Sequence, residues 1–86
     1  MSRQAADTPE LIIYTRRDCS LCGQMESGVR RIAGPEARLA IVAVDDDPEL
    51  ARRFGPDIPV LCVDGEVICR HFLDAERLAA ALGHGR

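Results

Sequence analysis

Two thiols stand three residues apart in Cys19-Ser20-Leu21-Cys22, directly after the apolar run Leu11-Ile12-Ile13-Tyr14-Thr15 and at the start of a segment with helical apolar spacing. On a helix, residues three apart share a face with Cα atoms roughly 5 Å apart, inside the ~4.4–6.8 Å that a disulfide accepts. Such a pair can close and open with little backbone movement. A helix N-terminus also presents unpaired N–H groups and the positive end of the macrodipole, which favour a thiolate over a thiol. The spacing therefore predicts thiol–disulfide exchange, with Cys19 the nucleophile and Cys22 the resolving thiol. Neighbouring charges act in opposite directions: Arg16 and Arg17 stabilise a thiolate at Cys19, and Asp18 destabilises it.

A thiol pair at a strand-to-helix corner needs a strand that ends there and a helix that begins there. Residues 11–15, short, apolar and rich in β-branched side chains, read as a buried strand. Leu21, Met25, Val29 and Ile32 then recur at helical spacing, and Gly34-Pro35 closes that helix. Gly23 and Gly28 inside it cost about 1 kcal/mol each relative to alanine, so close packing or approach by a partner is expected to account for them. Residues 39–44, Leu-Ala-Ile-Val-Ala-Val, form a near-continuous apolar run of the kind a central parallel strand carries when both its faces are covered.

Asp45-Asp46-Asp47-Pro48-Glu49 supplies an N-cap aspartate, an N1 proline and a first-turn glutamate for a short helix through Phe54, stopped by Gly55-Pro56. After Ile58-Pro59, residues 60–63 and 67–70 flank Asp64-Gly65, a dipeptide suited to a tight hairpin turn. Asp74 caps a last helix in which Leu78 and Leu82 share a face. The order βαβαββα implies an α/β fold. Two parallel strands joined by a helical crossover, followed by an antiparallel hairpin, give a four-stranded mixed sheet with helices on both faces. One domain is expected over residues 1–86, with an ordered core at about 10–82 and fraying ends.

Composition agrees with a small globular domain. Of the 86 residues, 47% are hydrophobic and the net charge is −3, which points away from disorder. Nucleic acid is not an expected partner, because aromatics make up only 3% and no basic stripe runs between them. No apolar run approaches the ~20 residues that span a bilayer, and Met1-Ser2-Arg3-Gln4-Ala5-Ala6-Asp7 lacks the apolar core of a secretion signal. A cytoplasmic monomer with no membrane association is the expectation. In such a reducing setting, four cysteines point to redox or metal chemistry rather than to a disulfide scaffold.

The stretch Tyr14-Thr15-Arg16-Arg17-Asp18-Cys19-Ser20-Leu21-Cys22 after the first strand, Ile58-Pro59 before the third, and the Asp64-Gly65 hairpin together resemble the thioredoxin superfamily, and within it a compact glutaredoxin-like protein. The resemblance runs from Leu11 to Leu82. It implies a thioredoxin-like fold and a thiol–disulfide oxidoreductase that reduces or exchanges disulfides through a mixed-disulfide intermediate on Cys19. It also implies that the Ile58–Pro59 bond is cis and lies against the cysteines, with the Ile58 backbone free to pair with a substrate's extended chain. Arg16 stands three residues before the first cysteine, where glutaredoxins hold a basic residue for the glutathione carboxylate. Leu21 stands where they usually carry an aromatic, Ser20 where a proline is common, and Cys69-Arg70 where Gly-Gly often follows the hairpin. Thioredoxins usually have a Trp before the motif, and this chain has none.

The substrate set implied is a disulfide-containing protein or a low-molecular-weight thiol. Glutathione as co-substrate or a thioredoxin reductase would supply electrons, and no further cofactor is required. Two other readings share the resemblance: a glutathione-dependent iron–sulfur cluster held between two copies through Cys19, and a redox-inert thioredoxin-like adaptor.

Other residues read more plainly. With a two-residue loop at Asp64-Gly65, position 62 faces 67 and position 69 faces 60, so Cys62 and Cys69 are expected on one side of the hairpin as diagonal neighbours. There they are buried free thiols in preference to a second disulfide, and a four-cysteine zinc site is awkward in this topology. His71 is expected as an exposed loop residue rather than a tuner of the thiols. His84 belongs to the tail. Asp45-Asp46-Asp47 is a solvated acidic turn with one member used as a cap, not a cation site. Met25 and Val29 belong to a core stripe.

Overall fold

The computed structural model describes residues 9–83; the terminal stretches, His84 among them, lie outside the described residues. The elements are β1 (Glu10–Thr15), α1 (Ser20–Ala33), β2 (Arg38–Ala43), α2 (Pro48–Phe54), a 3-10 turn (Gly55–Asp57), β3 (Val60–Val63), β4 (Glu66–Arg70) and α3 (Ala75–Ala81). Helix starts follow local side-chain chemistry. Asp47 accepts hydrogen bonds from the N–H groups of Glu49 and Leu50 at 3.0 and 3.2 Å, and Pro48 takes a first-turn position where no N–H is needed. Asp74 accepts from the N–H of Arg77 at 3.1 Å. Each such cap contributes about 1 kcal/mol.

The sheet runs β2-β1-β3-β4. β1 pairs with β2 in parallel and with β3 antiparallel, and β3 pairs antiparallel with β4. Alternation along the strands separates two apolar layers. Leu11, Ile13, Leu61 and Val63 meet Met25 and Val29 of α1 and Leu78 of α3 on one face. On the other, Val60 and Cys62 join Val44, Ile58 and Phe54 of α2, with Tyr14 packed alongside. The Phe54 ring stacks on Tyr14 at 4.3 Å between centroids and carries the Arg53 guanidinium 4.7 Å above it, which fastens α2 to the end of β1.

The inner strands are β1 and β3, the latter with all four residues buried, and not the 39–44 run. That run forms β2 at the sheet edge, with Ala40 and Ala43 exposed and Ile41 41% exposed. One side of β1 takes β2 and the other takes the hairpin, so among the described residues no strand pairs with the outer edge of β2. Alanines at two of its open positions keep the exposed apolar surface small.

The hairpin turn uses positive φ at both Asp64 (51°) and Gly65 (85°), the geometry that matches strand twist. Asp64 also ties the turn to the start of β1, donating its N–H to Glu10 O at 2.8 Å and accepting the Glu10 N–H at 3.0 Å. One departure follows beyond the turn. Cys62 pairs with Val67 as anticipated, yet Cys69 pairs with Leu61 rather than Val60, because the register shifts between Leu61 and Cys62 and leaves Ile68 as an extra residue. A bulge of this kind reverses the alternation beyond it. Cys69 accordingly joins the layer under α1 and α3, whereas Cys62 stays in the α2 layer. The two thiols are not neighbours on one side of the hairpin, and a bond between them would have to cross the sheet.

The glycines of α1 divide. A Cβ at Gly28 would come within 2.6 Å of Leu73 Cδ2, so the close packing anticipated there is real; around Gly23 nothing lies within 4 Å.

Candidate functional site

Cys19 is the N-cap of α1, with extended backbone (φ −114°, ψ 101°), and its Sγ accepts the Cys22 N–H at 3.2 Å. The sulfur thus takes the place usually held by a Ser or Asp oxygen. Cys19 and Cys22 are disulfide-bonded with Cα atoms 5.3 Å apart, as the three-residue spacing requires. Exposure is unequal: Cys22 is 6% exposed and sits in the α2-side layer, while Cys19 is half-buried at its margin. When the bond opens, the reachable sulfur is the one aligned with the first-turn N–H groups. Those groups and the helix dipole stabilise a thiolate, and no acidic residue of the first turn opposes it.

The corner between β1 and α1 is fixed from outside. Asp18 turns the chain with a positive φ of 56°, tolerated by Asp better than by most residues. Arg17 donates its backbone N–H to Asp45 at 3.1 Å, and its guanidinium lies 3.5 Å from Asp45 and 3.4 Å from Asp46. The charge of Arg17 is therefore engaged by two carboxylates, and it does not act as a free cation for Cys19. The acidic turn is exposed with Asp47 as the cap, as expected, and Asp45 and Asp46 in addition clamp the cysteine loop to the β2–α2 connection. A signal for the clamp lay in the parallel pairing: Thr15 is in register with Ala43, so Arg17 and Asp45 stand two residues beyond the same rung. Arg16 is exposed and pairs with no carboxylate among the described residues.

The Ile58–Pro59 bond is cis. Ile58 shares the apolar layer with Cys22, and Cys19 packs against that same layer. Pro59 is fully buried, and its carbonyl accepts the His71 N–H at 2.7 Å. His71 is exposed, with a positive φ of 67°. Its ring faces Asp57 at 3.9 Å, beside the 3.4 Å Asp57–Arg70 pair, rather than the cysteines. Leu21 is half-buried and begins a groove of about 300 Å³ that α1 shares with the His71–Leu73 loop. Sequence reasoning missed Phe72 on that loop, which is 68% exposed. Cys62 and Cys69 are buried free thiols. Burial pushes both thiols above the ordinary value of 9.0, partly offset by Arg53 and Arg70 at Cys62 and by the Asp74 backbone at Cys69.

The model of the family described as Glutaredoxin-like domain (DUF836) matches residues 10–83. No curated protein matches the chain. Among solved structures, the chain is similar to an X-ray structure of a protein from X. campestris, at 32% identity over 85% of this chain and 95% of that one, with a TM-score of 0.71. It is also similar to a protein from Nitrosomonas europaea solved by NMR, at 26% identity over 85% of this chain and 89% of that one, with a TM-score of 0.76. Oxidized glutaredoxin 2 from Chlamydomonas reinhardtii shares the fold at 19% identity over 93% of this chain and 78% of its own, with a TM-score of 0.52. With the family match spanning nearly all the described residues and a bonded cysteine pair opening α1 on a thioredoxin-like sheet, the chain belongs to the glutaredoxin-like domain family.

Proposed function

We propose that the chain is a thiol–disulfide oxidoreductase. The Cys19 thiolate attacks one sulfur of a substrate disulfide, forming a mixed disulfide and releasing the other substrate sulfur as a thiolate. Cys22 then loses its proton and attacks the Cys19 sulfur, which frees the second substrate thiol and leaves Cys19–Cys22 oxidised. Two electrons pass to the substrate, and a thiol reductant returns them: glutathione, another low-molecular-weight thiol or a thioredoxin reductase. No metal or further cofactor enters the cycle.

A single observation carries this reading: the pair is bonded across the first turn of α1, with Cys19 the more accessible sulfur and an acceptor of a first-turn N–H. Around it, the Ile58 backbone ahead of the cis Pro59 bond is where a substrate's extended chain pairs. Leu21 offers an apolar contact beside the sulfurs, and Arg16 a cation for a substrate carboxylate. A monomer working in the cytoplasm suits a dithiol kept reduced.

Trapping tests the roles. Cys22→Ser should accumulate a mixed disulfide on Cys19, seen by intact mass after exposure to a disulfide substrate, and Cys19→Ser should abolish exchange. Equal residual activity in the two variants would remove the assignment.

A further inference from the structure

The groove that starts at Leu21 continues along one face of α1, where Gln24, Gly28 and Arg31 follow at helical steps. Its depth depends on Gly28, which lets Leu73 close onto the helix. The Arg31 guanidinium folds back over this point, its Nη2 4.0 Å from where a Gly28 Cβ would stand. The facing wall carries Phe72, 68% exposed, on backbone held by the hydrogen bond from His71 N–H to Pro59 O at 2.7 Å and from Phe72 N–H to Arg70 O at 2.6 Å. An aromatic ring held in water by a fixed backbone is a large contact surface that loses little entropy on binding.

Charge gives the occupant. The chain has a net charge of −3, yet no carboxylate lines the groove, and its ionisable members are Arg31 and His71. Arg30, one position away, is held by Glu26 at 3.0 Å, whereas Arg31 has no carboxylate at ion-pair distance among the described residues. A cation without a partner at the far end of an apolar groove is complementary to an acidic group on an apolar segment.

Resting on the oxidoreductase reading, we propose that this groove selects the substrate: an extended segment of a disulfide-bearing protein, with a large apolar residue beside its reactive cysteine and a carboxylate about three residues from it. The apolar residue meets Leu21 and Phe72, and the carboxylate meets Arg31. The spacing follows from the helix, because seven residues from Leu21 to Gly28 advance ~10 Å at 1.5 Å each, a span that an extended chain covers in about three residues.

Synthetic peptides test this against the full chain. Each has leucine beside a single cysteine held in a mixed disulfide with thionitrobenzoate, and Glu, Gln or Lys three residues away on either flank. Release of the coloured thiolate in a single turnover of the pre-reduced protein, whose dithiol supplies the two electrons, gives a second-order rate constant. In every case it is divided by the constant for oxidation of the same pair by 2-hydroxyethyl disulfide, which is too small and uncharged to use the groove. The expected result is a Glu peptide reduced roughly threefold to tenfold faster than the Lys peptide, since one gains a partly exposed ion pair and the other meets repulsion. The ratio should shrink in high salt, invert in Arg31→Glu, and Phe72→Ser should lower the normalised rates of all the leucine peptides. Equal normalised rates for Glu and Lys peptides on both flanks overturn the groove while the oxidoreductase reading stands. If neither peptides nor 2-hydroxyethyl disulfide are reduced, both fall together.

Discussion

Replacing each helical glycine of α1 by alanine separates backbone propensity from packing in one helix. At an interior helical position, alanine is favoured over glycine by about 1 kcal/mol. Gly23 has nothing within 4 Å of a new Cβ, so Gly23→Ala should deliver most of that gain. Gly28→Ala has the same gain opposed by a contact of 2.6 Å with Leu73 Cδ2. Leu73 must leave its rotamer or withdraw from the helix, at about 1–3 kcal/mol for an overpacked site. The expected difference between the two variants is therefore ~1–3 kcal/mol in favour of Gly23→Ala.

Urea unfolding of the reduced and oxidised protein measures that difference, and in a domain of this size 1 kcal/mol moves Tm by about 4–8 °C. A Leu73→Ala background supplies the control. Removing the obstructing methyls should restore the gain to Gly28→Ala, giving a coupling of ~1–2 kcal/mol between positions 28 and 73. If Gly28→Ala alone stabilises as much as Gly23→Ala, the contact with Leu73 does not constrain the helix and the account of the groove's depth is wrong.

Three further outcomes are expected. In the reduced native protein, a maleimide at neutral pH should modify Cys19 rapidly and reach Cys62 and Cys69 only on unfolding, because burial holds both above the ordinary value of 9.0; modification of Cys62 at the Cys19 rate would contradict it. A thiol whose folded value is raised stabilises the fold below its unfolded value and loses that contribution as pH climbs through the folded one. Stability should thus fall above about pH 9, and Cys62→Ala should show a smaller alkaline loss than the parent in urea titrations at the two pH values. Finally, Asp45 is the less exposed arm of the Arg17 clamp, at 23% against 83% for Asp46. Asp45→Asn should destabilise the fold by about 0.2–1 kcal/mol, the worth of one partly exposed charge interaction; urea unfolding reads it, and an unchanged or raised midpoint would refute the clamp.

The order of elements was legible because punctuation in this chain is local. Asp47-Pro48 and Asp74 start helices through side-chain hydrogen bonds to the next turn, and Asp64-Gly65 sets a hairpin through two positive φ values, all within a few residues. The cysteine pair was legible for the same reason, since three residues of helix fix its Cα separation. The position of β2 was not, because an apolar run records hydrophobicity and says nothing of which strand lies beside it. Nor was the Arg17 clamp, which depends on parallel register across 28 residues of chain. Phe72, 68% exposed, follows a left-handed turn at His71, a conformation that histidine adopts more readily than most residues but does not announce.

The extra residue at Ile68 has a bearing on fidelity. Without it, Cys69 would stand beside Cys62 in the same layer as Cys22, and, on the oxidoreductase reading, a rival couple would lie next to the Cys19–Cys22 pair. By rotating one sulfur to the far side of the sheet, a single inserted position keeps the two free thiols in different layers.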